Sequence, residues 1–291
     1  MNKLGIGTAQ FGMDYGINST QGKVTSDEIK KILEFAKLHN INLLDTAFSY
    51  GTSEKSLGVN DISKFRVVTK IKKFMNNSIT KKDIEMVDRD TMQSLQNLNQ
   101  RNIFGLLIHD CNDLNKPGSN LVISYLERLK REKKVTKIGV SAYNRQQILS
   151  VIDRFSIDII QVPLNILDRR LIEDGTIAML ASRGIEVHVR SIFLQGLLLM
   201  PKESRPSKFN HWARIWNTWE EWLKDYNISA LQASVRFALT LPNIANVIVG
   251  IDNVKQLDEI IQASEGNLPK LPNEFFTSDE RLLNPSNWEQ L

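Results

Sequence analysis

The sequence predicts an α/β fold, a single (β/α)8 barrel of parallel strands with helices outside. Short apolar runs alternate with amphipathic helical segments, and eight such runs can be counted along the 291 residues. The later runs are not joined by tight turns, so each strand must return through a crossover, which favours parallel pairing. Eight such units suggest closure rather than an open sheet, and the length suits a barrel that needs roughly 250 residues.

Taken in order, KLGIGT (3–8) reads as the first strand, followed by a Gly-rich loop, AQFGMDYG. From Asp27 to His39 apolar residues recur at helical spacing, with Thr25 or Ser26 as cap. Leu43 and Leu44 form a second strand that ends at Asp45, and FRVVT (65–69) a third that delivers Lys70. A helix is expected over 80–98, with Asp83 and Glu85 in its first turn near the positive helix end. IFGLLI (103–108) is a fourth strand leading to His109, and 119–132 a further helix. VTKIGV (135–140) leads to Ser141, and 143–155 is helical. IDIIQV (157–162) is the sixth strand, and Arg170–Ser182 reads as one helix stopped by Gly184. IEVHV (185–189), a helix over 229–241, IANVIV (244–249) and a last helix over 253–263 complete the series.

The domain is expected to span 1–291, with an insertion at 196–228 and an irregular tail at 265–291 that wraps the surface or covers the site. The insertion carries Trp212, Trp216, Trp219 and Trp222 on one helical face. That stripe reads either as core packing or as an aromatic lining for a sugar or cofactor ring.

Lys plus Arg is 37 against 33 Asp plus Glu, a net charge of +4 that is too small to imply nucleic acid. No run approaches the roughly 20 apolar residues of a membrane helix, and the start lacks the apolar core of a secretion signal. One cysteine, Cys111, excludes an intrachain disulfide and fits a reducing compartment. A cytoplasmic protein without membrane or nucleic-acid partners is expected, a monomer or weak homodimer. The four histidines, 39, 109, 188 and 211, show no convincing metal-ligand spacing with acids or Cys111.

Asp45, Lys70 and His109 each follow an apolar strand, and Tyr50 lies one turn beyond Asp45. In a barrel these positions converge on the C-terminal rim, where such folds carry chemistry. A reaction in which an oxygen gains negative charge needs a proton and local positive potential. A free tyrosine titrates near ~10, and an ammonium beside a phenol stabilises the phenolate.

The stretch LLDTAFSYGTSE (43–54) resembles the signature of the aldo-keto reductases in Leu44, Asp45, Thr46, Ala47, Tyr50, Gly51 and Glu54. The resemblance implies a catalytic tetrad in which Tyr50 donates the proton, Lys70 and Asp45 support it, and His109 orients the substrate oxygen. It also makes closure of the barrel firm. Family members often begin with a hairpin under the barrel, and here the first strand follows Met1 so closely that this hairpin is expected to be missing.

The family holds a nicotinamide dinucleotide in the barrel mouth, and no Gly-x-Gly-x-x-Gly pattern follows the first strand. NADP is the expected cofactor, with NAD the other candidate. The resemblance places Ser141 and Gln161 at the carboxamide, and Arg190, Ser191, Leu194 and Gly196 along the ring and pyrophosphate. Gly250, Asp252, Asn253, Gln256 and Glu259 fall at the adenosine end. Three departures stand out: Ala142 where relatives have Asn, Arg190 where they have a stacking tyrosine, and Gln256 where an arginine is common. Tyr15, Lys72 and Arg190 are the candidate substrate-binding residues, and the charges point to an acidic or sugar-like carbonyl. Motifs such as GVSAYN and VRSIFLQGLL also look like those of bacterial proteins of surface-polysaccharide sugar metabolism. A barrel that keeps the tetrad but binds rather than turns over small molecules is the alternative reading.

Overall fold

The computed structural model describes residues 2–14, 16 and 22–291. Its strands are β1 (Leu4–Gly7), β2 (Leu43–Asp45), β3 (Arg66–Ile71), β4 (Ile103–Ile108), β5 (Val135–Ser141), β6 (Ile159–Pro163), β7 (Glu186–Arg190) and β8 (Asn246–Gly250). All neighbours pair in parallel, and β8 bonds back to β1, so the sheet closes as a barrel in chain order. The helices are α1 (Ser26–Leu38), α2 (Ser53–Gly58), α3 (Lys81–Asn97), α4 (Ser119–Arg131), α5 (Arg145–Ile152), α6 (Arg170–Glu173), α7 (Thr176–Ser182), α8 (Ala213–Asp225), α9 (Ala230–Thr240), α10 (Val254–Ala263) and α11 (Glu280–Leu283).

Side chains alternate along each strand, so each strand feeds two cores. Leu43, Val68, Leu107, Ile159 and Ile248 form an apolar plug inside the barrel. Their neighbours Leu44, Val67, Ile108, Ile160 and Val249 join the larger core under the helices. α1 shows the matching helical logic. It buries Ile29, Ile32, Leu33 and Ala36, and Thr25 caps it by accepting from the Glu28 amide.

Nearer the strand starts the interior turns polar. Lys137 bonds to Glu186, and the Lys137 and Arg66 cations lie 5.3 and 4.9 Å from the Phe104 ring centroid. His188, ambiguous from sequence, is fully buried on β7 with Nε2 3.6 Å from Glu186.

The single helix expected over 170–182 is two. Asp174 accepts from the Thr176 amide, and Gly175 adopts φ 73°, which ends α6 and starts α7. The tryptophan stripe belongs to the core. Trp216, Trp219 and Trp222 are buried on α8, Trp219 and Trp222 stack at 5.8 Å, and Phe275 meets both edge-on. The tail wraps this surface. It packs on this aromatic face and is tied down where Trp212 donates to Asp279 and Trp222 to the Lys270 carbonyl. Cys111 is buried, and desolvation pushes its thiol up to about 12, which leaves it unreactive.

Candidate active site

One step of two residues along each strand from the apolar plug reaches Asp45, Lys70, His109, Gln161 and Gly250. The periodicity that fills the barrel thus sets a polar layer above it, at the C-terminal mouth. Lys70 Nζ donates to Asp45 Oδ2 at 2.7 Å and to the Thr46 carbonyl at 2.9 Å. Gln161 Nε2 donates to the other carboxylate oxygen at 2.7 Å. Lys70 and Asp45 are 1% and 4% exposed, so the pair is stripped of water and depends on these bonds.

Tyr50 sits above the pair, with Lys70 Nζ 5.3 Å from its ring centroid. Its turn is fixed from several sides. The Tyr50 amide bonds to Ala47 O, the Ser53 amide to Tyr50 O, and Gly51 takes φ 57°. Ser53 Oγ donates to the Thr8 carbonyl at 2.8 Å and lies 3.1 Å from Thr46 Oγ1. Glu54 accepts from Thr69 at 2.7 Å and from Asn97 at 3.4 Å, so it joins α2 to β3 and α3. Gly12 explains the first Gly-rich loop: a Cβ there would overlap the Tyr50 carbonyl and the Ser53 amide.

His109 meets Tyr50 edge-on, with ring centroids 5.9 Å apart, and its Nδ1 lies 3.3 Å from Ser49 Oγ. Desolvation, helped by the nearby Lys70 charge, holds its pKa down to about 4. The imidazole is therefore neutral near pH 7 and can share a hydrogen bond with a substrate oxygen without adding charge. An unfolded histidine titrates near ~6.5, so below that pH the unfolded chain binds a proton that the fold refuses. This contribution is complete above about pH 6.5 and is lost as pH falls towards 4. His109→Gln should flatten the slope of unfolding free energy against pH in that window, by on the order of 2–3 kcal/mol across it. Urea titrations between those limits check it; identical slopes for the two proteins would contradict a half-buried neutral imidazole.

A cavity of about 570 Å³ opens from this layer. It runs from Asp45 and Tyr50 past Arg190, Ser191, Phe193 and Gly196 to Gly250, Asp252, Gln256 and Glu259, with Ser229 and Ala230 at the start of α9 on its wall. The loop after β7 is strained: Ser191, Leu194, Gln195 and Gly196 all have φ between 49° and 93°. Arg190 Nη2 reaches Ser141 Oγ and Nη1 reaches Ser191 Oγ, both at 3.4 Å, and the guanidinium lies 4.7 Å from the Tyr143 ring centroid. Its polar contacts are hydroxyls rather than carboxylates. Gln161 Oε1 is buried and has no donor among the described residues, while Asp45 holds the other end of the amide. A hydrogen-bond donor is what this oxygen lacks.

Of the cofactor residues expected from sequence, Arg190, Ser191, Gly196, Gly250, Asp252, Gln256 and Glu259 line the cavity, while Ser141 and Gln161 are buried at the strand ends beside its inner end. Leu194 and Asn253 do not line it. Leu194 is fully buried in the core, and Asn253 caps α10 by accepting from the Gln256 amide at 2.9 Å. Lys72 is also off the lining: it pairs with Asp90 at 3.2 Å over the Phe48 ring. Lys73 pairs with Asp110 at 2.7 Å. Tyr15 lies outside the described residues. Sequence reasoning missed the Gln161–Asp45 bond and the Gly12 approach, which join residues 116 and 38 positions apart and leave no local pattern. Among the described residues no three His, Cys, Asp or Glu side chains are grouped to hold a metal, and no helix is long and apolar enough to cross a membrane.

A phenol over a buried ammonium–carboxylate pair, beside a neutral imidazole and an elongated cavity, can deliver a proton to an oxygen that gains negative charge. The aldo/keto reductase family pattern matches residues 3–278, and the chain belongs to that family, whose members are NAD(P)H-dependent oxidoreductases. The fold agrees with that of an aldo-keto reductase from Bacillus halodurans in its holo form, at TM-score 0.71 and 21% identity over 92% of this chain and 88% of that one. A thermostable aldo-keto reductase solved with the inhibitor epalrestat gives 0.67 and 22%, over 94% and 93%. A Pseudomonas aeruginosa protein of the same kind gives 0.66 and 23%, over 90% and 89%. Comparison with curated proteins finds no match.

Proposed function

We propose that this chain reduces the carbonyl of a small acidic or sugar-like substrate to an alcohol at Tyr50. The observation that carries the reading is the desolvated Asp45–Lys70 pair directly beneath the Tyr50 ring, at the inner end of the cavity. The nicotinamide dinucleotide, when bound, supplies the hydride. Gln161 Oε1 and Ser141 would take its carboxamide, and the loop after β7 at Ser191 and Gly196, with the start of α9, would face its phosphates.

The remaining work falls to this chain. Tyr50 Oη hands its proton to the oxygen as it becomes an alkoxide. Lys70 offsets the charge left on the phenol, and Asp45 and the Thr46 carbonyl keep the ammonium aimed. His109, held neutral, aligns the carbonyl oxygen by a hydrogen bond. The stabilising potential is fixed before the substrate arrives, so little reorganisation is needed during the reaction.

Arg190 supports an acidic substrate, because a half-buried guanidinium whose side-chain hydrogen bonds among the described residues go to hydroxyls retains donors for a carboxylate or phosphate. A hydrogen bond to a charged group contributes roughly 1.5–3 kcal/mol. Arg190→Gln should therefore raise KM for an acidic aldehyde by about 10- to 150-fold and leave a neutral aldehyde of similar size nearly unaffected. Equal changes for both would remove the acidic-substrate reading. The activity itself is tested by cofactor-dependent absorbance against aldehydes, ketones, aldoses and nucleotide sugars. A lack of turnover throughout, with no dinucleotide binding, would overturn the reductase reading.

A further inference from the structure

The far end of the cavity is closed by the start of α10, and its charges are unusual for a site that would hold an extra phosphate. The described residues lining the cavity include one cation, Arg190, and it stands at the opposite end near Tyr50. At the α10 end the lining groups are Gly250, Asp252, Gln256 and Glu259. Residues 15 and 17–21, which flank the lining residue Gly16 in sequence, contain no lysine or arginine. Lys255 projects into solvent, 85% exposed, and lies 3.7 Å from Glu259.

Of the first-turn amides of α10, those of Val254 and Gln256 are already engaged. Glu28, from α1, accepts from the Val254 amide at 2.9 Å. Asn253 Oδ1 accepts from the Gln256 amide, also at 2.9 Å. The Gln256 side chain turns back to accept from the Asp252 amide at 2.8 Å and to donate to the Asp252 carboxylate at 3.3 Å. A helix start is ordinarily a ready place for an anion. Here a protein carboxylate fills that place, and two more stand on the adjoining wall. That is a poor setting for a dianionic phosphate, which seeks charge-assisted donors, and a good one for a ribose, whose hydroxyls donate to carboxylates.

We propose that this end of the cavity selects a ribose with a free 2′-hydroxyl, so that the chain uses NAD(H) in preference to NADP(H). Asp252 and Glu259 offer acceptors to the ribose hydroxyls, and Glu28 excludes a 2′-phosphate by occupying the start of α10. The proposal rests on the reductase reading above and reverses the cofactor preference expected from family habit.

Fluorescence titration of the intact chain with NADH and NADPH tests it by binding alone. NADH should bind at least about tenfold more tightly, a difference of about 1.4 kcal/mol. Adenosine 2′,5′-bisphosphate should compete correspondingly less well than adenosine 5′-monophosphate, which isolates this end from the nicotinamide end. In the double variant Glu28→Gln, Asp252→Asn the gap should narrow through tighter NADPH binding. Glutamine keeps an oxygen for the Val254 amide, and a melting curve checks that the fold is retained. NADPH bound as tightly as NADH, or a gap unchanged in the double variant, would overturn the proposal. NADPH binding more tightly and weakened by Lys255→Ala would show that Lys255 reads a 2′-phosphate after all. If neither dinucleotide binds below ~1 mM, the reductase reading itself fails.

Discussion

Tyr50→Phe is expected to lower turnover of any carbonyl substrate by about 10²- to 10⁴-fold, the range for losing a positioned general acid. Affinity for the dinucleotide should stay within about twofold, because the substitution removes one hydroxyl from the wall and keeps the ring. Three features of the structure make the contrast sharp. The turn around Tyr50 is held by backbone bonds and by the close approach of Gly12, neither of which involves the phenol oxygen. The ring keeps its edge contact with His109 and its place over Lys70. The Asp45–Lys70 pair keeps all of its bonds, so no buried charge is stranded. The folded state should change by less than about 0.5 kcal/mol. A loss in kcat and kcat/KM together, at unchanged cofactor affinity, marks an interaction made in the transition state. Steady-state kinetics on an identified carbonyl, with a parallel binding titration, decide it; a variant with near-wild-type kcat would show that the proton comes from elsewhere.

The parts of the molecule that could be read from sequence are those set by local periodicity. The strand order, the buried face of α1 and the arrival of Asp45, Lys70 and His109 at successive strand ends all follow from alternation along short segments. The break between α6 and α7 was legible too, in Asp174–Gly175, but an apolar helical spacing running across it masked the turn. What could not be read depends on contacts between distant segments. Whether the tryptophans of α8 faced a ligand or the core was decided by Phe275 and the tail, more than 50 residues later. Leu194 and Asn253, matched by resemblance to the cofactor region, lie off the cavity lining: one packs in the core and the other caps α10, the role its position before that helix also allowed. Glu28 is by position a first-turn acid of α1, and only the fold brings Val254 against it. Net charge is similarly blind to placement. A chain at +4 still presents carboxylates at one end of its cavity and a guanidinium at the other.

Lys70→Met should abolish turnover and also destabilise the barrel, and the two effects should separate in a second variant. Methionine fills much of the space of the lysine stem but leaves the Asp45 carboxylate buried, with Gln161 as its remaining side-chain donor. Breaking one side of a buried ion pair typically costs about 3–5 kcal/mol, which corresponds to a fall in melting temperature on the order of 10 °C for a domain of this size. In Lys70→Met, Asp45→Asn no charge is left to desolvate, and the amide can still accept from Gln161 Nε2. That double variant should recover most of the lost stability, since replacing both members of a buried pair by neutral groups is often nearly neutral, and the difference from additivity measures the coupling between the two positions. Turnover should remain as low as in the single variant, because the ammonium beneath Tyr50 is missing from both. Thermal melts and kinetics on the set of single and double variants separate the roles. An unchanged melting temperature in Lys70→Met would contradict a desolvated pair, and recovery of activity in the double variant would mean that Lys70 serves the fold and not the proton transfer.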